Sequence, residues 1–210
     1  MNAEKVLKSI NLIVSKYAPN ASQSPEFEAL AQSLREEIAL AEQKKSGKAD
    51  RFKAALRFSK KCNKEQRETR PYMAGAYIDE KGRQCIFHPA MAVRYEVPFD
   101  GLVEAEEGER PDVLDRVMST YDRSKPLALP ELGHLKTMLK LDKAEGNLDD
   151  GRSITELDGV TYNTEYLIQL IECVEPTEAY FSGPGKFPIL VVFGEGAQGV
   201  VCPVKAKGRN

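Results

Sequence analysis

The chain has 210 residues, 41% hydrophobic and 30% charged, with a formal net charge of −2. That balance suits a soluble globular protein with enough apolar material for a core. No apolar run approaches the roughly 18 residues needed to span a bilayer, and Met1-Asn2-Ala3-Glu4-Lys5 does not open a secretory signal. A membrane partner is therefore not expected, and the expected location is cytoplasmic.

Residues 3–17 read as a helix, because Val6, Leu7, Ile10, Ile13, Val14 and Tyr17 recur at helical spacing. Pro19-Asn20 breaks it. Ser24 is a good N-cap, followed by Pro25 and by Glu26 and Glu28 in the first turn. A second helix should run to about Lys44, with Phe27, Leu30, Leu34, Ile38 and Ala41 on one face. The pair reads as an N-terminal helical hairpin, residues 1–45. It carries apolar stripes that must pack on the body or on another chain, so a homo-oligomer is one expectation. Lys45-Ser46-Gly47-Lys48 reads as a linker to a second unit, residues 46–210.

A third helix is expected at about 50–64. Residues 44–70 hold eleven Lys/Arg against three Asp/Glu, and this asymmetry marks a localised cationic face. At about 100° per residue, Lys53, Arg57, Lys60, Lys61, Lys64 and Arg67 fall within an arc of roughly 120°. Phe52, Ala55, Leu56, Ser59 and Cys62 lie on a different side.

The period then changes to that of strands. Residues 72–78 and 83–88 read as two strands around the turn Asp79-Glu80-Lys81-Gly82. Residues 92–97 and 101–104 add two more. A helical stretch is expected near Val113-Met118 within an acidic segment, and another from Leu129-Pro130-Glu131 to about Leu141. Residues 154–160 read as extended. A terminal helix at 163–175 precedes strands near 177–182, 188–193 and 198–205. Helix followed by strands thus occurs twice without residue identity. We read this as shared architecture rather than a sequence repeat, and the fold class as α+β.

No catalytic constellation stands out. Cys85-Ile86-Phe87-His88 has a Cys-x-x-His spacing, but on a strand its ends point to opposite faces, so no metal is expected. His134 reads as an ordinary helix residue. The glycine-rich run 194–199 links two strands and lacks the Lys-Ser/Thr of a phosphate-binding loop. Asp149-Asp150 and Glu104, Glu106, Glu107 and Glu109 read as solvated carboxylates. Cys62, Cys85, Cys173 and Cys202 are widely scattered and read as free thiols. No cofactor and no enzymatic activity are expected.

Two segments carry a family resemblance. Tyr162-Asn163-Thr164-Glu165-Tyr166-Leu167 opens a helix, and the chain closes on Val201-Cys202-Pro203-Val204-Lys205-Ala206. Earlier, Glu68-Thr69-Arg70-Pro71-Tyr72-Met73-Ala74-Gly75-Ala76-Tyr77-Ile78 follows a basic helix. In this order they resemble a domain of the bacterial DNA-polymerase sliding clamp. Cys202 stands where that family has Met, Ala206 where it has Leu, and Phe87-His88-Pro89-Ala90 replaces its Thr-Asp-Gly type of turn. Family chains carry three such domains and close a six-domain ring; this chain has room for one.

The resemblance implies a DNA clamp-like domain of helices packed on antiparallel sheets, serving DNA replication or repair without catalysis. It implies contact between double-stranded DNA and Lys53, Arg57, Lys60, Lys61, Lys64 and Arg67 through phosphates. It also implies an apolar groove at Val201, Cys202, Pro203, Val204 and Lys205 for polymerase-type clamp-binding peptides. Plainer readings stay open: a solvated basic helix, a last strand that only completes the sheet, or a clamp-fold interaction module that has lost DNA. Glu165, Gln169, Glu172 and Glu175 on the terminal helix weigh against a uniformly cationic channel.

Overall fold

The computed structural model describes residues 3–18, 24–108, 113–183 and 188–205. Among these residues the elements run α1 (Ala3–Tyr17), α2 (Pro25–Lys45), α3 (Ala49–Gln66), a 3₁₀ turn (Pro71–Met73), β1 (Ala76–Ile78), β2 (Gln84–His88) and β3 (Met91–Tyr95). They continue with α4 (Val113–Met118), α5 (Leu132–Glu145), β4 (Ile154–Leu157), β5 (Val160–Asn163), α6 (Thr164–Val174), β6 (Glu178–Ser182), β7 (Ile189–Gly194) and β8 (Ala197–Val201).

Local chemistry sets the main helix starts. The Ser24 side chain accepts from the Phe27 amide at 3.2 Å, and Pro25 fills the first turn of α2. Asn163 Oδ1 accepts from the amides of Glu165 and Tyr166, which caps α6. Gly47, at φ +75°, sits in the turn between α2 and α3.

Six strands form one antiparallel sheet in the order β1-β2-β3-β8-β7-β6, and β4 and β5 form a separate ladder. The six-strand order is the same from either edge. One half is α3-β1-β2-β3, the other α6-β6-β7-β8, and they join where β3 meets β8 with Val93 opposite Gly199. Helices α3 and α6 lie on one face, where their Phe52, Phe58, Leu167 and Leu170 cluster with Ile86, Val93, Tyr95 and Val192 of the sheet. The opposite face holds α4 over Cys85, Ala92, Val191 and Val200. Outside the α3/α6 pair, α2 packs on α3, α5 on α6, and α1 on α2.

Both sheet edges are covered by connecting chain. The Ala76 amide donates to Val103 O at 2.7 Å, and the Ala105 amide donates to Ala76 O at 2.9 Å. At the far edge the Leu127 amide donates to Ala179 O at 2.8 Å, and Tyr121 bridges Ser182. Covering an edge removes the template on which a foreign strand would pair. Gly75 permits the first of these contacts: a Cβ there would lie 2.4 Å from Val103 O. Gly75→Ala is therefore expected to destabilise by about 1–3 kcal/mol, as overpacking against backbone does. A urea titration that leaves the midpoint unchanged would refute this.

Several boundaries differ from the sequence reading. Residues 72–78 are not one strand, because Pro71 opens a 3₁₀ turn and β1 starts only at Ala76. Residues 101–104 contribute a single parallel bridge, Ala76 to Glu104. The expected extended segment 154–160 turns back at Asp158-Gly159, with φ of +46° and +79°, and becomes the β4/β5 hairpin. The last strand ends at Val201, two residues before Pro203, which has no N–H for a ladder. The helix expected from Leu129 begins at Leu132. Glu109, and the middle of the acidic segment 104–115, lie outside the described residues.

Candidate functional site

Helix α3 buries Phe52, Ala54, Ala55, Phe58, Ser59 and Cys62 and turns its cationic side outward. Lys53, Arg57, Lys60, Lys64 and Arg67 are exposed, and Lys61 is half-buried. Much of this charge is answered within the chain. Lys53 Nζ lies 2.9 Å from Asp50 of the same helix, and its hydrogen bond holds the Asp50 carboxyl below the usual range. Arg57 Nη2 lies 2.7 Å from Glu172 of α6, and Lys60 Nζ 2.7 Å from Glu36 of α2. Lys61 Nζ sits 4.2 Å above the Tyr166 ring centroid, a cation–π contact. Lys64 and Arg67 have no ionic partner among the described residues.

Helix α6 supplies the matching acids. Glu172 holds Arg57 with one oxygen and Lys136 of α5 with the other, at 2.6 Å, while only 17% of its side chain is exposed. Glu175 pairs with Arg51 at 2.7 Å, and Glu165 with Lys143 at 2.5 Å. Gln169 donates to Ala54 O, tying α6 to α3. The sequence reading did not single out Arg51, Lys136 or Lys143. The spacing of Lys136, Lys140 and Lys143 along α5 was a legible sign that this helix offers cations to a neighbour.

A cleft of about 740 Å³ opens between α3, α6 and the segment leading into α5. Leu129, Leu132 and Ile171 give it apolar walls, and Lys53, Arg57, Lys136, Asp50, Glu172 and Glu175 form a rim of both signs. Such a rim attracts no polyanion as a whole, because its charges balance.

The C-terminal segment is divided. Val201 is 0% exposed and belongs to the core, so it cannot wall a groove. Cys202, Pro203 and Val204 are half-buried, and Lys205 is exposed. The Cys202 amide donates to Ala90 O at 2.8 Å. The Val204 amide donates to Thr161 O, and Thr161 Oγ1 donates to Val204 O. This segment therefore pins the sheet to the β4/β5 hairpin. Pro203 has no N–H to offer a docked strand, so recognition there would rest on side chains.

Three of the four thiols and His88 are embedded. Burial pushes the thiols of Cys62 and Cys85 up to about 12 and Cys173 up to about 11, far from the thiolate range of a nucleophile. Cys85 lies on the α4 face and His88 on the helix face, where its Nε2 meets Glu65 at 3.0 Å and its ring packs on Tyr166. Burial holds His88 below its ordinary value. His134 is exposed on α5. Among the described residues no cluster of His, Cys, Asp or Glu is placed to hold a metal ion, and no helix is long and apolar enough to cross a membrane.

No protein-family model matches the chain, and no curated protein matches it. Among solved structures, it is similar to the crystal structure of the DNA polymerase III beta chain from Streptococcus pneumoniae TIGR4, at 13% identity and a TM-score of 0.30. The similarity covers 62% of this chain and 43% of that one, so the chain spans less than half the length of that structure. A TM-score of this size does not establish a shared fold.

Proposed function

We propose that the chain is a non-catalytic accessory of DNA replication or repair, built on a clamp-like domain that docks partner proteins rather than gripping DNA along α3. The clamp-like reading is supported by the two sequence segments that resemble the family and by their positions. One leads from α3 into β1, and the other spans α6 to the end of β8, so the two belong to the matching halves of the sheet. The observation that carries the docking reading is the internal neutralisation of α3. Arg57, Lys60 and Lys53 are paired with Glu172, Glu36 and Asp50, and phosphates would have to displace those acids.

Docking falls to the apolar side chains at Cys202, Pro203 and Val204, which remain reachable beside the hairpin. A second reading, direct contact with duplex phosphates, is favoured by Lys64 and Arg67, which are exposed and lack described ionic partners. Two free cations would release about two counterions, so log K would fall with log salt at a slope near −2.

Fluorescence anisotropy with a short duplex across a salt series, and calorimetric titration with a polymerase-type clamp-binding peptide, separate these readings. The expected result is peptide binding that Val204→Asp abolishes, with duplex binding weak and of shallow salt slope. A slope near −5 or steeper, lost in Lys53→Glu/Lys60→Glu, would overturn the docking reading in favour of a DNA-holding one. Loss of weak duplex binding in Lys64→Glu/Arg67→Glu alone would confine DNA contact to the end of α3.

A further inference from the structure

We propose that His88 is a proton-operated latch on the C-terminal segment 202–204. An added proton on its imidazole breaks the hydrogen bond that closes the Pro89-Ala90 turn, and the turn then loosens its hold on the segment. His88 ends β2, and Pro89 and Ala90 form a two-residue loop before β3. Loops of that length favour turns with positive φ, which match the twist of the strands. Pro89 cannot adopt a positive φ and Ala90 does not. The loop is tied instead by the residue that precedes it, because the Ala90 amide donates to His88 Nδ1 at 3.1 Å.

That bond fixes the state of the ring. A backbone amide can only donate, so Nδ1 must be bare. The single proton of the neutral imidazole then sits on Nε2 and is donated to Glu65 Oε2 at 3.0 Å. A second proton can go only to Nδ1, where it sets N–H against N–H and leaves the Ala90 amide without its acceptor. The ring itself stays in place. Glu65 of α3 faces Nε2, the Tyr166 ring of α6 lies 5.1 Å away between centroids, and both suit an imidazolium. The displacement therefore falls on the turn. Burial disfavours the added charge most, Glu65 opposes burial, and Lys61 of α3 reinforces it. Burial also keeps the Tyr166 hydroxyl and the Cys202 thiol in their neutral forms. The latch is thus closed at neutral pH and opens as pH falls below the ordinary histidine value of about 6.5.

The turn is one of two anchors of the segment. Ala90 O accepts from the Cys202 amide at 2.8 Å, and Cys202 Sγ lies 3.9 Å from Pro89 O. The other anchor is Thr161, which holds Val204 by both its amide and its carbonyl. A shift of Ala90 therefore frees the Cys202 end and leaves the Val204 end held. Cys202, Pro203 and Val204 carry the side chains assigned to partner docking, and the regulation of docking rests on that reading. A loose Cys202 end must be re-ordered before a peptide seats, so affinity falls with the fraction of chains that are ordered.

Heteronuclear NMR of the full chain through a pH series tests it. The ring-nitrogen shifts of neutral His88 are expected to place the proton on Nε2. The Ala90 and Cys202 amides should shift with the His88 midpoint. Their exchange protection should fall about fivefold once His88 is charged, the equivalent of one ordinary hydrogen bond. His88→Asn puts an uncharged amide oxygen where Nδ1 lies, so both amides should hold steady with pH. His88→Gln has no acceptor there and should leave Ala90 poorly protected at every pH. A polymerase-type clamp-binding peptide should bind wild type at least about threefold more weakly at about pH 5.5 than at about pH 7.5, and His88→Asn equally at both. Amides that ignore the His88 midpoint, or a neutral proton found on Nδ1, overturn the latch. Peptide affinity that stays level while the amides move overturns its control of docking. A peptide that binds at neither pH refutes the docking reading instead, and the amides still decide the latch.

Discussion

Leu170→Ala is expected to cost about 3–4 kcal/mol, within the range for a fully buried leucine whose cavity cannot collapse. Leu170 is 0% exposed and lies in α6 above the seam between the two halves of the sheet. The helix sits close there because β8 has Gly199 beneath it. A Cβ on Gly199 would meet Leu170 Cδ1 at 2.4 Å, Val174 Cγ2 at 3.0 Å and Ala92 O at 3.1 Å. Gly199→Ala alone is therefore expected to cost about 1–3 kcal/mol by overpacking. The two changes should not add. Removing the Leu170 side chain clears the nearest clash, and the new methyl fills part of the cavity. A double-mutant cycle by urea denaturation should return about 1 kcal/mol or more of favourable coupling; additivity within about 0.5 kcal/mol would show that helix and strand are not in this contact.

Asp115→Ala should destabilise by about 2 kcal/mol through the opposite face of the sheet. Arg94 points to that face from β3, is 5% exposed, and reaches Asp115 of α4 at 2.5 Å and Gln198 of β8 at 2.6 Å. Lys81 and Arg83 join the same carboxylate. Removing one partner of a buried pair leaves an unpaired charge, which costs about 3–5 kcal/mol when both are buried. The smaller figure reflects the 37% exposure of the Asp115 side chain. Hydrogen bonds from Lys81 and Arg94, with the nearby guanidinium charges, hold the Asp115 carboxyl well below its usual range. A depressed folded value means that the contribution is complete above the ordinary carboxylate value of about 3.9 and fades as pH falls through the folded value. Asp115→Asn should flatten that acid-side loss. Denaturation midpoints at neutral pH and near pH 3 check both statements; equal midpoints for wild type and Asp115→Ala at neutral pH would dismiss the pair as a stabilising element.

The helices were the most legible part of the chain. Ser24 and Asn163 mark their starts by capping chemistry, and the apolar period of α3 and α6 separates buried from exposed positions residue by residue. The same period placed Lys53 to Arg67 on one outward side. It carried no information about neutralisation, because Glu36 and Glu172 approach from helices 24 and 115 residues away from the cations they meet. Strand lengths were over-read where Pro71 and Pro203 remove donors. The β4/β5 hairpin was legible in Asp158-Gly159, whose two positive φ angles suit a two-residue turn, but the apolar residues on either side read as one extended run. Arg94 lies in a short apolar strand, and nothing local announces that a residue from α4 will cover it. The twofold helix-then-strands plan was legible as architecture, but the pairing of β3 with β8 that joins the two halves was not, since the halves share no residues.

That symmetric order divides the work of folding unevenly. Each three-stranded half is a meander whose neighbours are close in sequence, so its ladders close over short loops. The β3/β8 seam joins positions roughly 100 residues apart and carries a larger loop-closure entropy. Contacts of such separation slow folding far more than local ones. The seam is therefore the expected rate-limiting event, with strand propensity inside either half affecting mainly what happens before it. Until β8 arrives, β3 presents an unpaired apolar edge of Met91, Val93 and Tyr95, and during that interval a nascent chain is most exposed to mispairing with another copy.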